Sequence, residues 1–218
     1  MWIKISPRTN QWVKVSAIIQ LVLLLTSIVI NVASLTSAPT IFYTLTAGVA
    51  IINLLLYTYM ISVLIYFAEK RAIVVAYIIY LLLDIVRNVY GLILLRLVGF
   101  QFGPILGIVI LLVTIYLFIV SMLVKCVYIS FPFKLFAFSI FALTLLKILA
   151  TFIFPWIVDS FSMGYQYLTL LRTVIDFLGF LWLILPISAI LIARGANDYI
   201  NSQNSDSANS CDEMEESY

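Results

Sequence analysis

Six stretches of this chain are apolar almost without interruption, each about as long as a membrane is thick. A helix needs about 20 such residues to cross the roughly 30 Å hydrocarbon core of a bilayer. The stretches run from about Val15 to Ser34, Ile41 to Ala68, Ala72 to Leu97, Pro104 to Ile129, Pro132 to Phe154 and Tyr167 to Ala193. In lipid, every backbone N–H and C=O must find a partner inside the protein, and a helix provides this within one segment. The pattern predicts an all-α fold: a polytopic membrane helical bundle of six transmembrane helices spanning residues 1–194. Short connections make consecutive helices antiparallel neighbours. Pro104 and Pro132 suit helix starts. Pro186, inside the sixth segment, is expected to kink it. Gly103 and Gly107 form a G-x-x-x-G that allows close helix approach, and the chain could pair into a homo-oligomer through this fourth helix.

Composition narrows the class further. Of 218 residues, 64% are apolar and 10% are charged, and the mean hydropathy is +1.17. An ordinary soluble domain is about 25% charged. A soluble globular protein, a disordered chain and a nucleic-acid binder are thereby excluded. The lipid bilayer is the first partner implied. There is no histidine and there are only two cysteines, Cys126 and Cys211. Imidazole-based zinc sites, Ser-His-Asp triads and His-ligated haem are therefore absent. No Gly-rich phosphate loop occurs. The expectation is a protein without enzymatic activity, cofactor or metal.

Lys and Arg near the segment ends set the orientation. With a cytoplasmic N-terminus, the inner side receives Lys4, Arg8, Lys14, Lys70, Arg71, Lys125, Lys134 and Arg194, and the outer side only Arg96. Both termini are then cytoplasmic. Trp12 and Trp156 fall at the two boundaries, where amphipathic rings belong. The first segment is read as a retained helix rather than a cleaved signal peptide, because its apolar run exceeds the usual 7–15 residues. Cys126, beside Lys125, is either an ordinary small apolar residue or a palmitoylation site.

The net charge of +2 hides a split. Residues 1–194 carry all twelve Lys and Arg and only four acids. Residues 195–218 carry six acids and no Lys or Arg. This Ser/Asn-rich segment is expected to be a disordered acidic cytoplasmic tail. It either binds a cytoplasmic protein or merely solubilises the terminus.

Ionisable residues inside a spanning helix cost about 2.5–3.5 kcal/mol each on insertion scales. Asp84, Arg87, Lys147 and Asp176 should lie within about one helical turn of one depth. Arg172 stands four residues before Asp176 and can pair with it. Asp84 and Arg87 are three apart and can also face each other, and Asn88 and Asn53 lie near the same depth. The cluster is either a site for an ion, a proton or a polar solute, or a neutral network that locks helices together. A proton-coupled site would lose transport in Asp84→Asn or Asp176→Asn.

Several short runs resemble a known family. Ile5-Ser6-Pro7-Arg8-Thr9 precedes the first helix, and Tyr66-Phe67-Ala68-Glu69-Lys70-Arg71 closes the second. Ala76-Tyr77-Ile78 and Leu83-Asp84-Ile85-Val86 lie in the third, and Val124-Lys125-Cys126-Val127-Tyr128 ends the fourth. Over about residues 1–130 this resembles the lysosome-associated protein transmembrane (LAPTM) family and its insect relatives. The resemblance implies an endosomal or lysosomal location; the plasma membrane is the other location left open. It does not carry over that family's Pro-x-Tyr partner motif, because this tail has no proline. That family has four helices, and this chain is expected to have two more. Two functions follow. One is a non-enzymatic membrane scaffold or sorting/adaptor protein of endomembranes. The other is a small transporter or channel that uses the buried Asp/Arg/Lys cluster.

Overall fold

A computed structural model describes residues 3–32, 39–89, 103–149 and 178–215, with side chains described over 3–30, 44–88, 105–149 and 180–203. The described residues form helices and turns, with no strand among them. In chain order the helices are α1 (Pro7–Val32), α2 (Pro39–Tyr66), α3 (Arg71–Val89), α4 (Gly103–Ser121), α5 (Val127–Ile148) and α6 (Ile184–Glu215). A short 3-10 helix, Leu178–Leu183, leads into α6.

Four of the helices are long and apolar enough to cross a membrane, and the apolar part of α4, Ile105–Ser121, is shorter. The other helix outside those four is α3. Its 19 residues hold Arg71, Asp84 and Arg87, and the expected continuation to Leu97 falls outside the described residues. Each helix packs on its neighbour in sequence, and α6 returns against α1, so the six close into a ring. Between apolar lipid tails and apolar side chains there is little hydrophobic driving force, so such a ring is held by close packing and interhelical hydrogen bonds. The exterior fits that account. Ile51, Val127, Leu112, Ile105 and Val29 are exposed, while Asn10, Gln20, Asn53, Asp84, Thr114 and Ser139 are buried.

One end of the ring gathers most of the Lys and Arg that the sequence assigns to a single side, and we refer to it as the basic end. Asn10 of α1 donates to Asn197 of α6 at 2.6 Å and accepts from the Tyr59 hydroxyl of α2 at 2.7 Å. The Ile3 N–H donates to Ser62 Oγ at 3.1 Å. The Glu69 carboxylate accepts the N–H groups of Lys125 (3.0 Å) and Cys126 (2.8 Å), tying the α2–α3 turn to the residues just before α5. Trp12 is 64% exposed there, consistent with a boundary ring.

Two expected boundaries shift. The fourth helix ends at Ser121 rather than near Ile129, and the fifth begins at Val127 rather than near Pro132. Pro132 therefore lies inside α5. It has no N–H, so the Tyr128 carbonyl loses its helical donor. Gly195 of α6 comes to that carbonyl: a Cβ there would overlap the Tyr128 oxygen and lie 3.0 Å from its carbonyl carbon. Only a residue without a side chain fits so close an approach. Pro186 sits in the first turn of α6, three residues after the 3-10 helix gives way to α-helix.

The tail also differs from expectation. α6 continues to Glu215. Ala196 is fully buried, and Tyr199 meets Phe67 and Tyr128 edge-to-face at 4.8 and 5.6 Å. The folded body thus runs past residue 194, because Ala196, Tyr199 and Ile200 recur on one helix face. The Gly103–Gly107 spacing is unused inside this chain at Gly107, where a Cβ would meet nothing within 4 Å.

Candidate functional site

The centre of the ring next to the basic end is filled by rings. Tyr57 of α2 packs edge-to-face on Tyr80 of α3 (5.6 Å) and Phe136 of α5 (5.8 Å). Tyr77 stacks on Phe136 at 5.9 Å and meets Phe133 at 5.3 Å. The Tyr77 hydroxyl reaches Ser121 Oγ at 3.2 Å and the Phe133 carbonyl at 3.3 Å, joining α3, α4 and α5. Each aromatic pair contributes about 0.5–1.5 kcal/mol beyond its buried area. Together they form a plug.

Beyond the plug the packing opens. A cavity of about 190 Å3 lies among α1, α2, α3 and the 3-10 helix. Its polar lining includes Gln20, Asn53, Arg87, Asn88 and Trp182. Gln20 lies about 20 Å along α1 from Pro7 at 1.5 Å per residue. Gln20 Nε2 donates to Asn53 Oδ1, and Gln20 Oε1 is buried without a partner among the described residues. Whichever way the two amides are turned, one polar group of Gln20 is left over. A buried amide group without a partner costs about 1–3 kcal/mol.

The ionised residues stand on the wall. Helical spacing of three and four puts Asp84, Arg87 and Asn88 on one face of α3. Arg87 pairs with Asp84, and Asn88 Nδ2 donates to the other Asp84 oxygen at 3.1 Å. The pair is not symmetric. The Asp84 side chain keeps 4% of its surface accessible and Arg87 keeps 31%. The carboxylate is therefore sealed in the protein while the guanidinium lines the cavity. A guanidinium has five donors, and Asp84 engages it through one of its nitrogens.

The expected cluster assembles in part. Asp84, Arg87 and Asn88 come together as their spacing implies. Lys147 joins through a ring instead of a carboxylate. Its Nζ lies 5.0 Å from the centre of the Trp182 ring, and the Arg87 guanidinium lies 4.9 Å from the same centre. Cations near an indole ring are held by its quadrupole, by about 0.5–2 kcal/mol. One indole thus joins cations from α3 and α5. Arg172 and Asp176 lie outside the described residues. Sequence reasoning missed Gln20 and Trp182. Gln20 left a signal, as one of two amides in the first apolar stretch, with Asn31. Trp182 left a weaker one, as an indole far from either end of the sixth stretch.

No protein-family model, characterised protein or solved structure matches the chain. The resemblance of residues 1–130 to the lysosome-associated family rests on the residue runs quoted for it.

Proposed function

We propose that this chain is a six-span membrane protein with both termini in the cytoplasm, acting as a small transporter or channel without enzymatic activity. Its solute is small, polar and rich in hydrogen-bond acceptors, with a carboxylate or inorganic anion as the simplest case. One observation carries the reading: a cavity of about 190 Å3 beside the Arg87–Asp84 pair, with Gln20, Asn53 and Asn88 among its lining residues. A polar wall facing a void in hydrocarbon is costly, and such residues mark solute pathways. What supports the topology is that the chain's front, both turns of the basic end and the α6 extension meet at one end, as an even number of crossings requires.

The test is flux in proteoliposomes over a panel of halides, carboxylates and phosphate at several pH values. Wild-type protein moves at least one anion. Ala50→Phe, which fills the cavity from α2, abolishes that flux while the protein still elutes as a folded species. Absence of flux across the panel for the wild type, or equal flux in wild type and Ala50→Phe, overturns the reading in favour of a scaffold.

A further inference from the structure

A second cavity lies at the basic end, separated from the first by the aromatic plug. Its volume is about 400 Å3. Three distant pieces of chain wall it: Phe67, Glu69 and Lys70 at the α2–α3 turn, Lys125 and Cys126 before α5, and Tyr199 on α6. The turn is held in place. Ala68 takes a left-handed φ of 49°, a conformation that costs a residue with a Cβ about 1 kcal/mol or more. The Glu69 N–H bonds back to the Leu64 carbonyl at 3.0 Å, closing α2.

The charges in this cavity are unequal. Glu69 is committed, since its carboxylate receives the Lys125 and Cys126 N–H groups at 2.8–3.2 Å. Its charge faces the start of α5, where a negative charge is favoured. Lys70 and Lys125 are exposed, and neither ammonium has a carboxylate within 4 Å among the described residues. The floor is aromatic, with Phe67 and Tyr199 packed edge-to-face at 4.8 Å. Beside the mouth, Tyr66, Met122, Leu123 and Val127 are exposed. Two unpaired ammonium groups over an aromatic floor, rimmed by apolar side chains at a helix-end boundary, suit a phosphate headgroup whose acyl chains lie along the bundle.

We propose that this basic-end cavity binds the headgroup of an anionic phospholipid. The site is independent of the mid-membrane cavity and holds whether or not that cavity carries a solute. Lysines near an anionic headgroup contribute on the order of 1 kcal/mol each.

The test uses full-length protein in neutral detergent, titrated with dioctanoyl phosphatidic acid, dioctanoyl phosphatidylcholine and inorganic phosphate. Wild-type protein binds the phosphatidic acid saturably, and the other two bind at least about tenfold more weakly. The double variant Lys70→Gln/Lys125→Gln weakens phosphatidic acid binding by about tenfold or more. Lys4→Gln/Arg8→Gln removes the same charge from the same end, outside the cavity, and leaves binding unchanged. Both pairs of residues are exposed, so folding is kept. Equal losses in the two double variants, equal binding of phosphatidylcholine, or inorganic phosphate competing at equal affinity each overturn the proposal.

Discussion

The basic end and the middle of this bundle use the same residue types to opposite ends. At the basic end Asn10 is fully buried and both sides of its amide are used, one by Tyr59 and one by Asn197. In the middle Gln20 is equally buried, one side of its amide is used by Asn53 and the other has no partner. At the basic end Glu69 is bound by backbone N–H groups. In the middle the acid is sealed and its basic partner, Arg87, is left facing a cavity. Polar groups lock helices where they are satisfied among themselves. Where they are not, the partly accessible Arg87 lines a cavity.

The largest expected effect falls on the closed end. Gly195→Ala drives a methyl group into the Tyr128 carbonyl, and that oxygen belongs to backbone that cannot swing aside. Overpacking of this kind costs about 1–3 kcal/mol, and a backbone clash sits at the upper end. Thermal unfolding in detergent should show the steepest loss of any variant named here. A melting temperature equal to wild type would remove the close α5–α6 seam from the account.

Asn10→Leu comes next. It strands the Tyr59 hydroxyl and the Asn197 amide in a buried setting and should cost about 1–3 kcal/mol by the same measurement. Trp182→Leu removes the ring between Arg87 and Lys147. A loss of about 1 kcal/mol is expected, together with weaker anion flux, because Arg87 loses the surface that positions it. Gln20→Met is the smallest change and the sharpest contrast with Asn10→Leu. One side of this amide is already unpartnered, so unfolding should shift by less than about 1 kcal/mol while solute flux falls. If Gln20→Met destabilised as much as Asn10→Leu, the two regions would be alike and the cavity would be only another lock.

Much of the ring was legible in the sequence, and the reasons it was not fully so are physical. Long apolar runs announce helices, but hydropathy cannot see a turn made of apolar residues. Met122 to Cys126 is such a turn, apolar except for Lys125, so the fourth segment reads as running on to Ile129. Pro132 reads as a helix start because proline favours that position; here packing against Gly195 makes an interior proline useful instead. The tail reads as disordered on average composition, which hides the helical recurrence of Ala196, Tyr199 and Ile200. Within the site, Asp84, Arg87 and Asn88 follow from spacing on one helix. Trp182 does not, because its role depends on a 3-10 segment meeting α3 and α5 in space. Lys147 shows the same limit: its depth was readable and its partner was not.

The central claim is that the middle of the bundle is open to water while the layer beneath it is sealed. Cysteine accessibility tests it most directly. On a Cys126→Ser/Cys211→Ser background, Ala50→Cys at the cavity wall and Ala76→Cys in the buried layer would each be exposed to a small hydrophilic thiol reagent in the solubilised protein. Fast labelling of Ala50→Cys, slowed by the transported anion, with Ala76→Cys inert, is the expected result. An inert Ala50→Cys would mean that the Arg87 wall faces no water, and the solute cavity would be refuted.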